Sequence, residues 1–249
     1  MKIQLIRHAT ILIEINGQRI LLDPMLSEAR TMPAVPGVAN TSDNPLVNLA
    51  IGASTLINAD AIIVSHTHRD HFDEAAMQLL PHSTQLFCQA PDEEKIREAG
   101  FTNVQIIDQS YEWNDITISR TEGRHGTGNI GQKMGPVSGF VLESNGEPSL
   151  YITGDTIWCP EVQNALEKYR PQIVVCFAGA AQFSSGDPIT MTKEDIINVC
   201  KHAPESKIIA IHLEAWNHCS LSRKELKESV AEHSLTGQIS IPYDGEWVE

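Results

Sequence analysis

The sequence predicts an α/β fold in a single domain. Two observations carry this. Short apolar, β-branched runs alternate with helical stretches through the second half of the chain, while the first half is richer in strands. The 249 residues, 41% of them hydrophobic, are enough for one large domain with a sizeable core.

Taken in order, residues 2–22 alternate as two or three strands, with Asn16-Gly17 as a hairpin turn. Residues 24–58 break the pattern. They hold Pro24, Pro33, Pro36 and Pro45 with Gly37 and Gly52, and a loop of this length in a compact domain is usually functional or disordered. It joins a strand ending at Asp23 to one leading into His66, so it is read as a flap over an active site, with a plain surface excursion as the alternative.

Residues 61–64, Ala-Ile-Ile-Val, read as a buried strand, and Asp73 as the N-cap of a helix over 74–80. A strand at 85–88 and a helix at 91–99 follow, the helix opened by Pro91 and closed by Gly100. Strands are expected at 104–107 and as a pair around 111–120. Residues 121–136 carry five glycines and His125; no Gly-Lys-Ser/Thr follows, so this is no phosphate-binding loop, and no helix is expected there. A hairpin of 137–143 and 149–153 turns at Asn145-Gly146. A helix near 160–168, strand 172–177, helix 191–200, strand 207–211, helix 222–232 and a strand near 238–241 complete the chain. No linker or repeat interrupts it, so 1–249 is taken as one domain.

The chemistry concentrates in Ser65-His66-Thr67-His68-Arg69-Asp70-His71. Imidazole and carboxylate are the donors that Zn²⁺, Mn²⁺ or Fe²⁺ take when no thiolate is offered. His66 and His68 are two apart, so in extended backbone they point the same way and can converge on one ion. Asp70 and His71 follow where the chain turns, and could reach a second.

His66-Thr67-His68-Arg69-Asp70-His71 resembles the His-x-His-x-Asp-His signature of the metallo-β-lactamase superfamily. Leu22-Asp23-Pro24, His125, the Asp155 of Tyr151-Ile152-Thr153-Gly154-Asp155-Thr156, and His212 after Ile208-Ile209-Ala210-Ile211 resemble its further landmarks, in order. Within it, His8-Ala9-Thr10 and Leu22-Asp23-Pro24-Met25 look most like the ascorbate-6-phosphate lactonase and N-acylphosphatidylethanolamine phospholipase D-like groups.

The resemblance implies a four-layer αββα sandwich and a dinuclear site. One ion would take His66, His68 and His125, the other Asp70, His71 and His212, with Asp155 bridging them. It implies a metal-dependent hydrolase whose bridging hydroxide cleaves a small lactone, ester or phosphoester. Asp70 would orient that hydroxide or carry its proton, and Asp23 would orient a ligand histidine. Zn is expected, with Mn or Fe as alternatives. A mononuclear or di-iron redox enzyme and a non-catalytic metal-binding domain are the competing readings; His68 and His71 argue against the di-iron pattern.

Other residues stay open at this stage. His8 either faces the site or is a structural histidine. His218 and Trp216 either line the pocket or lie at the surface, and Trp158 forms either an apolar wall or core. His82, His202 and His233 read as surface.

The net charge is −14, from 18 Lys+Arg against 32 Asp+Glu, which argues against a nucleic-acid partner and leaves a small-molecule substrate. No run approaches a membrane span and no secretion signal is expected. The five cysteines are scattered without Cys-x-x-Cys spacing, which fits a reducing cytoplasm. A homo-oligomer is compatible with all of this.

Overall fold

The alternation within Ala61-Ile62-Ile63-Val64 shows how the layers form. This strand, β4 (Ala61–Val64), is buried on both faces. Ala61 and Ile63 pack into one apolar cluster and Ile62 and Val64 into another, as period-2 side chains must when both faces of a sheet are covered.

The computed structural model describes residues 1–248. Its other strands are β1 (Lys2–Arg7), β2 (Thr10–Ile15), β3 (Gln18–Leu22), β5 (Gln85–Cys88), β6 (Val104–Ile106), β7 (Ser110–Trp113), β8 (Ile116–Glu122), β9 (Ser138–Ser144), β10 (Leu150–Ile152), β11 (Ile173–Phe177), β12 (Lys207–Ile211), β13 (Ile239–Ser240) and β14 (Trp247–Val248). They form two seven-stranded sheets, ordered β14-β1-β2-β3-β4-β5-β6 and β13-β12-β11-β10-β9-β8-β7. The helices are α1 (Glu74–Leu79), α2 (Glu93–Glu98), α3 (Gly128–Met134), α4 (Pro160–Tyr169), α5 (Lys193–His202) and α6 (Arg223–Glu232).

Between the sheets lies one core, with Ile11, Ile20, Ile63, Phe87, Phe140, Ile152, Phe177 and Ile211. Each such side chain contributes ~1.5–3 kcal/mol by leaving water. The outer face of the first sheet is covered by α1 and α2 through Ala76 and Ile96. That of the second is covered by α4, α5 and α6 through Val162, Leu166, Ile196, Val199, Leu226 and Val230. The result is the four-layer αββα sandwich.

Local signals act as expected. Asn16 and Gly17 turn the β2–β3 hairpin with positive φ at both positions. The Asp73 carboxylate accepts from Ala76 N at 2.8 Å and caps α1. Thr192 and Ser222 each close a capping box, on α5 and α6.

Two expectations are corrected. A helix, α3, does open in the glycine-rich segment. Its Gly131 lies so close to the preceding turn that an added Cβ would stand 2.6 Å from Gly126 O, so the position takes glycine despite its poor helix propensity. The two-residue β14 closes the edge of the first sheet by pairing with β1, and is too short for any periodicity to reveal.

Residues 24–58 contain only a short 3₁₀ turn, Ala53–Thr55, and an isolated bridge between Met32 and Asn44. Both feet of the segment are tied to Arg7, whose side chain is fully buried. Its Nη2 donates to Met25 O (2.7 Å) and Ser27 O (3.0 Å), and its Nη1 to Val47 O (3.0 Å). No helix among the described residues is long and apolar enough to cross a membrane.

Candidate metal centre

The parallel strands β3, β4 and β5 in one sheet and β10, β11 and β12 in the other end at one edge of the sandwich. The candidate residues leave from those ends, where open α/β sheets place their ligands. His66, His68, Asp70 and His71 follow β4, Asp155 follows β10, and His212 is the first residue after β12. His125 follows the antiparallel β8.

All seven side chains named from the sequence meet there. The donor atoms of His66, His68 and His125 lie within 4.8 Å of one another, as do those of Asp70, His71, Asp155 and His212. His66 Nε2 faces His68 Nδ1 at 2.9 Å. Asp155 joins the two groups. Its Oδ2 lies 3.4 Å from His125 Nε2 and 3.2 Å from His71 Nε2, and its Oδ1 lies 3.2 Å from His212 Nε2. That Oδ1 is buried yet accepts no well-aligned hydrogen bond.

The rings are aimed from behind. His125 Nδ1–H donates to Ile189 O at 2.8 Å, leaving Nε2 free toward the cluster. His71 Nδ1–H donates to Asp23 Oδ2 at 2.8 Å. Asp23 also accepts from Ser65 N (2.7 Å) and Ser65 Oγ (2.6 Å), so it orients both the ring and the loop that carries it. Three residues here, His8, Asp23 and His212, hold the left-handed conformation without being glycine. Gly154 needs it too: a Cβ there would come within 2.4 Å of Ser138 O. Such strain gathers where the surroundings over-determine the backbone.

The electrostatics divide the cluster. Burial, with the neighbouring His71 and His68, holds His66 well below its ordinary range, and burial brings His125 down to about 4. Both are therefore neutral, the form that ligates. Burial alone would raise Asp155 and Asp70. The imidazoles, His212 and His71 for Asp155 and chiefly His71 for Asp70, prevail and keep both well below the usual carboxylate range. Burial opposes charge on His71 and His212 as well. The carboxylates, Asp155 first, hold His71 well above its ordinary value and push His212 up to about 10. Converging neutral imidazoles beside buried carboxylates form a donor set that suits divalent cations, which would displace the shared protons.

Residues left open by the sequence now have places. His8 is buried in the site, with Nε2 3.3 Å from Asp70 Oδ2 and its ring 3.7 Å from that of His212. Trp216 and His218 line the cavity, and Cys219 Sγ lies 3.7 Å from His212 Nδ1. Trp158 packs with the α4–α5 core and against His202, away from the cavity, so the core reading holds. His82, His202 and His233 are exposed. The cavity beside the cluster measures about 270 Å³. Val35, Met134, Phe183 and Trp216 form its apolar wall, and Arg69 and Lys95 stand on its rim. A larger cavity of about 690 Å³, lined by Leu166, Arg170 and His202, lies away from the cluster. Val35 and Met134 come from 24–58 and 126–136, the two stretches expected to wall the pocket; Phe183 and Lys95 had no signal in the sequence and reach the cavity from segments remote in the chain.

Comparison with known proteins identifies the family. Residues 18–213 match the model of the Beta-lactamase superfamily domain. The chain belongs to the beta-lactamase superfamily. Within that superfamily it is 37% identical to the UPF0173 protein YddR of Bacillus subtilis (strain 168), over 99% of this chain and 98% of that one. It is 25% identical to a UPF0173 metal-dependent hydrolase of Pelotomaculum thermopropionicum over the whole of both. The structure of an isothiocyanate hydrolase from Delia radicum gut bacteria superposes with a TM-score of 0.95 at 36% identity, covering 100% of this chain and 99% of that chain.

Proposed function

We propose that the chain is a metal-dependent hydrolase with a dinuclear site, acting on a small neutral electrophile of the isothiocyanate type. The observation that carries the reading is Asp155, whose two carboxylate oxygens face both histidine groups at the floor of an apolar cavity. The 36% identity with an isothiocyanate hydrolase over nearly the full length of both chains supports the substrate class. So does the cavity, at about 270 Å³ at the low end for ligand sites.

Bound divalent ions would lower the pKa of a water toward neutrality and act as a Lewis acid for the electrophile. His66, His68 and His125 would hold one ion, and Asp70, His71 and His212 the other. Val35, Met134, Phe183 and Trp216 bind the organic group and exclude water. Asp70 Oδ2, steadied by His8 Nε2–H, takes the proton released as water attacks. The new C–O bond forms at the central carbon of R–N=C=S, and the C=N π electrons move to nitrogen, which is protonated. The remaining O–H proton then passes to nitrogen as the C–N bond breaks and the O–H electron pair completes the second C–O bond, giving R–NH₂ and COS, so water and substrate balance the products.

Arg69 favours a second reading. It makes no ion pair among the described residues and stands on the cavity rim, where it would suit an anionic lactone or phosphoester. A substrate panel on metal-loaded protein separates the two. We expect phenethyl isothiocyanate to be cleaved with kcat/KM on the order of 10⁴ M⁻¹ s⁻¹ or more. Turnover confined to lactones or to a phosphodiester such as bis(4-nitrophenyl) phosphate would overturn the isothiocyanate reading. Metal-dependent oxygen uptake in place of hydrolysis would overturn the hydrolase.

A further inference from the structure

Asn217 stands between Trp216 and His218, two residues that line the cavity. Its own side chain serves the 24–58 segment, and every hydrogen-bonding position of its amide is filled. Oδ1 accepts from Val35 N (3.0 Å) and from Asn44 Nδ2 (2.8 Å). Nδ2 donates to Val35 O (3.2 Å) and to Asn40 O (2.7 Å). The Asn217 backbone N–H donates to Asn44 Oδ1 (2.8 Å). Both asparagines are buried. Exchanging the amide oxygen and nitrogen of Asn217 would set donor against donor and acceptor against acceptor, so the network itself assigns the orientation.

We propose that Asn217 is a latch: its amide holds residues 35–44 closed over the cavity and sets Val35 in place as one of its walls. The proposal rests on reading this cavity as the substrate site. None of the five bonds involves a proposed metal ligand, so the latch acts on the wall and leaves the ion-binding cluster alone. Without the amide, Val35 N, Val35 O, Asn40 O and the Asn44 side chain lose their buried partners, and the strap regains hydrogen bonds by lifting into water. Lifting does not set the segment loose. Leu46 N still donates to Ala215 O (2.8 Å), and Ser184 N and Oγ to Gly37 O (both 2.6 Å). The device is therefore local, a small closure carried on an anchored loop.

The test uses full-length, metal-loaded Asn217→Ala, Asn44→Ala and Val35→Ala, with amide hydrogen exchange over 33–46 and 215–219, metal analysis, and kinetics on allyl and phenethyl isothiocyanate. Asn217→Ala should lose exchange protection at Val35, whose N–H donates to Asn217 Oδ1, and Asn44→Ala at Asn217, whose N–H donates to Asn44 Oδ1, while the Asn44 N–H stays bonded to Met32 O and both variants keep the wild-type metal stoichiometry. Their KM should rise about tenfold while kcat stays within about twofold, the pattern of lost binding contacts. Val35→Ala should keep the protection and shift preference toward the bulkier phenethyl substrate. Full protection in both asparagine variants, or loss of metal in either, would overturn the latch. If Asn217→Ala fails to fold, Asn44→Ala removes two of the five bonds and is read the same way. Exchange requires no substrate. A wild-type protein that cleaves neither isothiocyanate would sink the activity reading, while the exchange result would still decide the latch.

Discussion

Replacing Asp23 with Asn changes one atom and tests the whole rear support of the site. In the wild type, Asp23 Oδ2 accepts from His71 Nδ1–H at 2.8 Å, which leaves His71 Nε2 free to ligate. An amide nitrogen at that position donates instead, so His71 must accept at Nδ1 and carry its proton on Nε2, the wrong tautomer for a ligand. Losing such an outer partner typically costs 10–100-fold in metal affinity, or ~1.4–2.7 kcal/mol. The fold should survive, because the remaining Oδ1 still accepts from Ser65 N at 2.7 Å. Asp23→Ala is harsher: it strips three hydrogen bonds from a buried acceptor at ~1.5–3 kcal/mol each, comparable to the net stability of a domain. The assay is metal titration of Asp23→Asn against a competing chelator. We expect the ion on the His71 side to weaken 10–100-fold and the His66–His68–His125 ion to hold. Two ions bound with wild-type affinity would refute the argument.

Three further outcomes are expected. Asp155→Ala should keep the fold and lose at least ~10³-fold in turnover, with bound metal reduced, because one carboxylate serves both groups; near-normal rates at full metal content would refute its role. Shortening 34–44 should leave metal content intact and raise KM, checked by steady-state kinetics and metal analysis together. In the metal-free protein, stability should peak near pH 6.5. His125 falls from 6.5 to about 4 on folding, so its unfolded form binds the extra proton and stability climbs between those values. His212 rises from 6.5 to about 10, so its contribution is complete below 6.5 and drains away as pH rises toward 10. Melting temperatures across pH on chelator-stripped protein check this, and a curve flat from 6.5 to 10 would contradict it.

Legibility in the sequence followed locality. The His66–His71 cluster announced itself because four donors fall within six residues after a buried strand. His125, Asp155 and His212 are single residues, and only their resemblance to ordered landmarks connected them. Periodicity gave strands and helices but could not pair them into two sheets, since both faces of β4 and β12 are apolar. His8 was undecidable for a similar reason: it joins the site through a backbone bond from His212 N to His8 O, a contact between opposite ends of the chain. Asn217 carried no signal at all, because its partners come from a loop whose path the sequence does not encode in any repeating pattern.

Arg7 has a consequence for how such a protein can change. One buried guanidinium clasps the chain at Met25, Ser27 and Val47, so the two feet of the 24–58 excursion are fixed whatever lies between them. Loop closure grows only slowly with length, by ~0.6 kcal/mol per doubling. Insertions and deletions between residues 28 and 46 can therefore be sampled at little thermodynamic risk to either sheet. On the proposed function, the catalytic floor and the substrate-facing roof would be separately mutable parts. A lineage could exchange one substrate for another by rewriting the roof, while the histidines and aspartates beneath it stay as they are.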